Sequence, residues 1–277
     1  MLSYRHNFHA GNHADVLKHT TLSLILSYYQ QKKKTFWYID THAGGGIYDF
    51  MGTQAQKNKE FDQGIIKIYG STDIPEEMTP YIQQIQLCNK PGEIHYYPGS
   101  PVIANHFRGS QDQLRLFELH PSDLLSLTNS LPIDKHIKVI KTNGLLGLKS
   151  CLPPQSRRAV TLIDPSYEVT KDYEDVYMAL RDSIKRFPTG TYIVWSPLIH
   201  KRDPQILLSN LQSIDVNSSL YVSLSIDAKD FMPGMYGSYL YIINPPWTLL
   251  EQLSTICPYL VDRLGIGGRG SFELTAT

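Results

Sequence analysis

A chain of 277 residues can bury a large core, and 42% hydrophobic against 19% charged residues is a globular composition. No uninterrupted apolar run is long enough to span a bilayer, and Lys plus Arg balances Asp plus Glu at 26 each, so no global positive field announces a nucleic-acid partner. Cys88, Cys151 and Cys257 are odd in number and far apart, with no Cys-x-x-Cys pair. They suggest neither a disulfide framework nor a thiolate zinc site, and they suit a reducing cytoplasm. Met1 to His6 lacks the basic-then-apolar order of a secretion signal, so the expected location is cytoplasmic. Local basic clusters at Lys32-Lys33-Lys34, Arg157-Arg158, Lys185-Arg186 and Lys201-Arg202 have the chemistry to touch phosphates, although each alone is most simply solvated surface.

Ala14 to Tyr29 carries Val16, Leu17, Leu22, Leu24, Ile25 and Leu26 without an internal Gly or Pro, which predicts a helix. Thr35 to Thr41 is aromatic and β-branched and runs into Gly44-Gly45-Gly46, a buried strand followed by a glycine turn. Between residues 48 and 97 the pattern changes: Met78, Tyr81, Ile82 and Ile85 follow helical spacing between breakers at Pro75, Pro80 and Pro91-Gly92. This segment reads as a helical insertion, leaving 1–47 and 98–277 as the main domain. Ser100-Pro101 reads as a helix start, with Ser capping free amides and Pro at the first helical position. Four more strand-like runs follow: Leu114 to Glu118, His136 to Lys141, Ala159 to Asp164 and Thr191 to Ser196. Their alternation with helical stretches predicts a Rossmann-like α/β fold with a parallel sheet, whose ligands gather beyond the carboxyl ends of the strands. Leu220 to Ile226 and Tyr239 to Ile243, with Gly234 and Gly237 between them, suggest a terminal antiparallel hairpin.

The strand ends carry the chemistry. Asp40-Thr41-His42-Ala43-Gly44-Gly45-Gly46 allows close backbone approach to a nucleotide-like ligand, and a bare tight turn remains equally open. Without the full Gly-x-Gly-x-x-Gly spacing, a cofactor with one nucleoside and a charged tail is more natural than a pyrophosphate. Glu118, ending the second strand, has the oxygens to accept from both ribose hydroxyls of adenosylmethionine or NAD; an exposed carboxylate is the plainer alternative. Asn143-Gly144 ends the third, where the amide is able to read an adenine edge or simply make an Asn-Gly turn.

Asp164-Pro165-Ser166-Tyr167 follows the apolar run Val160 to Ile163. Methyl transfer to an exocyclic amine needs an acceptor that holds the amino hydrogens and aims the nitrogen. Asp164 and a neighbouring carbonyl supply that, with Pro165 adding no donor and the Tyr167 ring set to stack on an extruded base. Alone, a plain Asp-Pro turn would be the commoner explanation. Asn244-Pro245-Pro246-Trp247 is a better local match to the same chemistry, but its position after the hairpin sets it apart from the central strand ends, as loop structure or base contacts. His9/His13 and Asp15/His19 have the i, i+4 spacing of helical metal ligands, yet no His-Glu-x-x-His pattern appears, and no metal is expected.

Taken together, Phe8 to His19, Asp40 to Gly44, Tyr97-Pro98-Gly99-Ser100-Pro101, Glu118-Leu119-His120-Pro121 and Asp164 to Tyr167 resemble the bacterial 23S ribosomal RNA adenine-N6 methyltransferase J family. The resemblance runs through Asn244 to Trp247, nearly the whole chain, and its most specific part is the amino-terminal segment. It implies a class I adenosylmethionine-dependent methyltransferase fold with a helical insertion, acting on one adenine of 23S rRNA before ribosomal proteins cover it. By motif, His19, His42, Ser100 and Glu118 would contact adenosylmethionine, with Asn143, Gly144 and Asp164 beside them. Asp164 would be the catalytic acceptor, Tyr4 and Tyr167 would position the RNA, and Lys18 would touch phosphate or cofactor. No obligate protein partner is implied.

The sequence departs from the family pattern where Ser166 replaces a second proline and Asn143 stands for the usual Asp; neither removes a required group, but Asn143 carries no charge and can also donate. Three alternatives stay in view. A DNA adenine methyltransferase would usually carry a separate element that reads the duplex groove, and none is obvious. A nicotinamide-dependent oxidoreductase leaves Asp164 to Tyr167 without a role. A catalytically silent RNA-binding module would explain the basic clusters and aromatics.

Overall fold

The structure, a computed structural model, describes residues 6–277, so Tyr4 lies outside the described residues. Asn12 starts the first helix, α1 (His13–Gln31), by accepting from the amides of Ala14 and Asp15 at 3.0 and 3.1 Å. Side chains from His13 to Leu26 are buried on every face of α1, so it is an internal helix; Asp15, Lys18, His19 and Thr21 find polar partners there, while the Thr20 and Ser23 hydroxyls are buried without one among the described residues.

Then come β1 (Trp37–Asp40), β2 (Ile47–Asp49), α2 (Thr53–Asn58), α3 (Thr79–Leu87), β3 (Tyr96–Pro98), α4 (Ser100–Phe107), β4 (Gln113–Phe117), α5 (Pro121–Ser130) and β5 (Ile137–Ile140). The second half holds α6 (Gly144–Cys151), β6 (Ala159–Ile163), α7 (Lys171–Arg186), β7 (Thr191–Leu198) and α8 (Asp203–Gln212). It closes with β8 (Ser219–Ser225), β9 (Gly237–Ile243), α9 (Leu249–Leu264) and β10 (Ser271–Ala276).

Among the described residues one sheet has the order β10-β8-β9-β7-β6-β1-β4-β5. β1 lies at the centre of the parallel part, between β4 on one side and β6 on the other, and β5 and β7 extend the parallel ladder outward. The chain thus winds one way from β1 through β4 to β5, then returns to β6 and winds the other way. This reversal opens a crevice beyond the carboxyl ends of β1 and β6, where ligands of such sheets bind. The predicted Rossmann-like α/β architecture is the one observed.

Alternation along the strands feeds two cores. Tyr38, Val160 and Leu162 face a cluster with Leu17, Ile25, Ile103 and Leu253, while Ile39, Ala159 and Ile163 face a second with Leu148, Val176, Leu180 and Leu207. Both faces of the central strands are therefore covered by helices, as a parallel sheet requires.

Three features differ from the sequence-based expectation. The segment predicted as purely helical is bracketed by a two-stranded antiparallel ladder, Ile47 opposite Pro98 and Asp49 opposite Tyr96. The late hairpin forms, but β9 inserts between β7 and β8, and α9 and β10 follow it. β10 pairs antiparallel with β8, and its side chains are nearly all exposed, so it lacks the apolar alternation that marks a strand. Ser100 does not cap α4: the cap is Gly99, and the Ser100 hydroxyl donates to Asp40 instead.

The segment between β2 and β3 packs onto α1: Phe61, Ile65, Met78, Tyr81 and Ile85 share a core with Val16 and Leu17. At this contact the Ile65 amide donates to the Gly11 carbonyl at 2.9 Å, and a Cβ on Gly64 would lie 2.0 Å from that oxygen. Gly64→Ala should therefore lower stability by roughly 1–3 kcal/mol, the scale of overpacking against unyielding backbone. Urea denaturation checks it, and an unchanged midpoint would contradict the contact.

Candidate active site

Asp164 leaves the carboxyl end of β6, and a buried ion cluster fixes it there. Lys18 Nζ lies 2.6 Å from Asp164 Oδ2 and 2.8 Å from Asp15 Oδ1. Asp15 Oδ2 in turn meets His6 Nε2 at 2.8 Å and the Gly11 amide at 2.9 Å. Burial alone would raise the pKa of Asp15, but His6 and Lys18 outweigh it and hold the carboxyl well below its ordinary range. Burial likewise works against the Lys18 ammonium, yet its two carboxylates raise its pKa. Lys18, expected at phosphate or cofactor, thus has its charge directed at two side chains of its own protein. The Trp195 ring lies 5.6 Å from the same ammonium.

The turn after Asp164 is tied at its other end as well. Tyr167 has φ of +51°, an uncommon conformation for an aromatic residue, and its hydroxyl donates to the Trp195 carbonyl at 2.7 Å. Its ring packs 4.3 Å from Tyr173 and is only 7% exposed, so the face left for a base is small.

At the end of β1, fully buried Asp40 accepts from Tyr38 Oη at 2.8 Å, Ser100 Oγ at 2.7 Å and the His42 amide at 3.2 Å. Burial pushes its pKa up to about 6 against those bonds. Gly44, at φ +65°, donates its amide to Glu118 Oε2 at 2.8 Å, and the His120 amide reaches Oε1 at 2.7 Å. The glycine turn and the acid are thereby one unit, and burial raises the Glu118 pKa. Asn143 caps α6 by accepting from the Leu146 amide at 3.1 Å, while a Cβ on Gly144 would sit 2.0 Å from the Thr41 carbonyl. Only glycine lets α6 approach the end of β1 so closely.

The crevice thus gathers His42, Ser100, Glu118, Asn143, Gly144 and Asp164 around the ends of β1, β4, β5 and β6. His19 lies behind it, 1% exposed, with Nδ1 2.8 Å from Tyr97 Oη. Burial lowers the pKa of His19 to about 3 and those of His13 and His42 to about 4, so all three are neutral at pH 7. Among the described residues no group of His, Cys, Asp or Glu is arranged to hold a metal.

The rival motif lies elsewhere. β9 runs antiparallel to β7 with Ile243 opposite Tyr192, so Asn244 emerges at the amino end of β7, across the sheet from Asp164. Its amide donates to the carbonyls of Pro188 and Gly190 at 2.8 and 2.7 Å, which makes it a brace for that turn.

Known proteins resemble this chain closely. A family model described as "Ribosomal RNA large subunit methyltransferase D, RlmJ" matches residues 33–275. The chain belongs to this family. It is 42% identical over 275 residues to the Ribosomal RNA large subunit methyltransferase J of Haemophilus influenzae, covering 99% of this chain and 98% of that one. The protein of the same name from Escherichia coli is 41% identical over 270 residues, covering 98% and 96%. A crystal structure of a Legionella pneumophila protein superposes with a TM-score of 0.90 at 34% identity, over 96% of this chain and 98% of that one.

Sequence reasoning left out Asp15, His6, Tyr38 and Trp195 as parts of the site. Asp15 carried a signal, an acid one helical turn from both Lys18 and His19, but in the sequence it reads only as metal-ligand spacing with His19 and not as the partner of Lys18.

The Asp15 cluster predicts a pH dependence. Because its folded pKa is below the ordinary 3.8, the stabilisation is present above about pH 4 and is lost as pH falls through the folded value. Asp15→Asn should cost about 1.5–3 kcal/mol at pH 7, because the buried Lys18 ammonium keeps Asp164 but loses one of its two carboxylates. The gap to wild type should shrink below pH 3.8 in denaturation experiments; a gap that widens there would refute the assignment.

Proposed function

We propose that this protein transfers a methyl group to the exocyclic N6 of one adenine in 23S rRNA, acting on protein-free RNA in the cytoplasm. Its family consists of large-subunit rRNA methyltransferases. The observation that carries the finer reading is Asp164, a carboxylate at the carboxyl end of β6, beside the point where the winding reverses and clamped by Lys18. No helix among the described residues is long and apolar enough to cross a membrane. Residues 1–47 and 98–277 would form the methyltransferase domain and 48–97 an inserted helical subdomain.

The donor set of the crevice fits S-adenosylmethionine. Glu118, locked beside the glycine turn, suits two ribose hydroxyls; Asn143 and the α6 amino end suit an adenine edge; His42 and Ser100 line the region between. Neutral His19 would act from behind, through Tyr97, on the shape of that wall. When bound, the cofactor supplies an electrophilic methyl group.

The protein's own work is to present the amine. Lys18 occupies Asp164 Oδ2 and fixes the carboxylate's orientation, leaving Oδ1 for one amino hydrogen of the base. The carbonyl of Pro165 would take the second. Both bonds draw the amine nitrogen toward tetrahedral geometry and free its lone pair, while Tyr167 and Trp195 bound the base pocket and Tyr4 helps hold the RNA.

Labelled adenosylmethionine with protein-free 23S rRNA tests this. Asp164→Asn should lower kcat by at least about a hundredfold, the scale of a lost transition-state hydrogen bond. Glu118→Gln should chiefly raise KM for adenosylmethionine. Full activity of the Asp164 variant, or labelling of duplex DNA in preference to RNA, would sink the proposal.

A further inference from the structure

A second concave surface lies at the opposite edge of the sheet, where the amino ends of β6 and β7 meet the end of α1. It is a groove of about 560 Å³. Lys32, Lys34 and Arg158 stand on one side of it and Trp247 on the other, and among the described residues no Asp or Glu lines it. In a chain of zero formal charge, three uncompensated cations in one groove are a local exception.

The groove is built rather than incidental. The Arg158 guanidinium lies over the Tyr29 ring at 4.6 Å and donates to the Lys34 carbonyl, while Tyr29 itself is anchored by its hydroxyl to Thr191 at 2.9 Å. Lys32 Nζ lies 4.8 Å over Tyr28. Opposite them Asn244, tied to the Pro188 and Gly190 carbonyls, leads into Pro245, Pro246 and Trp247, and Trp247 is 76% exposed. Trp247 thus presents most of its indole to solvent at the rim of the groove, facing the same space as the three cations.

We infer that this groove binds an unpaired stretch of the substrate RNA away from the target adenine. Cations that track phosphates, with an aromatic platform on which any base can stack, are the chemistry of sequence-tolerant single-strand binding. Arg158 presents a planar fork already positioned by Tyr29, suited to a phosphate. The six-residue rise along β6 from Arg158 to Asp164 puts the groove about 20 Å from Asp164, roughly six stacked nucleotides at 3.4 Å each. The occupant is therefore a distal part of the RNA and not the reacting base. The inference rests on the proposed rRNA substrate.

Two surface variants test it, Lys32→Ala with Lys34→Ala, and Trp247→Ala, with fluorescein-labelled oligo(U) and in vitro transcribed 23S rRNA as probes. The double lysine variant should bind oligo(U) about tenfold more weakly at 0.1 M salt, and its log–log salt slope should fall by about 1.4, two phosphate contacts at about 0.7 each. Trp247→Ala should lose about tenfold with the slope unchanged, within the range of one base–aromatic stack. Both should raise KM for 23S rRNA and leave kcat as in wild type. Wild-type affinity and slope in both variants overturn the inference, and if wild type still methylates RNA the proposed function stands. Wild-type binding through the groove without methyl transfer would instead overturn the proposed function and leave the groove intact.

Discussion

The Lys18 ammonium between Asp15 and Asp164 is the constraint on which the site depends. Each contact contributes on the order of 6 kcal/mol of attraction at an effective dielectric of about 20, and burying each ion costs several kcal/mol. The two nearly offset, so the cluster adds little net stability while any one member, left alone, is costly. What it does is fix position. The cluster ties the start of α1 to the end of β6, with Lys18 held on Asp164 Oδ2. His6 and the Gly11 amide complete the shell of Asp15, so the amino-terminal segment is bound into the same arrangement.

Burial also decides the electrostatics of the crevice. The imidazoles of His13, His19 and His42 are held neutral by desolvation and serve as hydrogen-bonding groups. The charges that remain near the strand ends are Glu118, Asp164 and, near neutral pH, Asp40, with Lys18 already spoken for by two carboxylates. Such a crevice favours a ligand bearing positive charge, as a sulfonium with an amino group does, and disfavours a pyrophosphate. That agrees with a glycine turn lacking the dinucleotide spacing, and it weighs against a nicotinamide cofactor on physical grounds.

Much of this was legible in the sequence because strands buried on both faces read as short apolar runs, and polar residues at their carboxyl ends stand out against them. β1, β4, β5, β6 and β7 were all visible in that way, with ends within about two residues. β10 was not, since an exposed edge strand carries no buried face to impose alternation. β2 and β3 were hidden for another reason: they pair across a long insertion, and three residues apiece leave no periodicity. Ser100 next to a proline looked like a cap, but the helix begins one residue earlier with Gly99 at the cap, and the Ser100 hydroxyl donates instead to the buried Asp40 carboxylate at 2.7 Å. Asp40 as a hub and Lys18 as a clamp depend on contacts between residues 60 and 146 positions apart, which no local pattern encodes.

The two aromatic-ended turns show how strand direction assigns chemistry. Asn244 to Trp247 matches the amine-binding pattern better, residue for residue, than Asp164 to Tyr167 does. β6 is parallel to β1, however, so its last residue is delivered to the crevice, whereas β9 is antiparallel to β7 and delivers its last residue to the far edge. There the Asn244 amide is consumed by two carbonyls of the neighbouring turn, and its own carbonyl accepts from Thr191 at 2.8 Å. What the motif retains at that edge is an exposed indole beside a basic groove. The same residue types therefore stand at the crevice at one end of the sheet and beside a basic groove at the other, and the direction of the strand beneath them decides which.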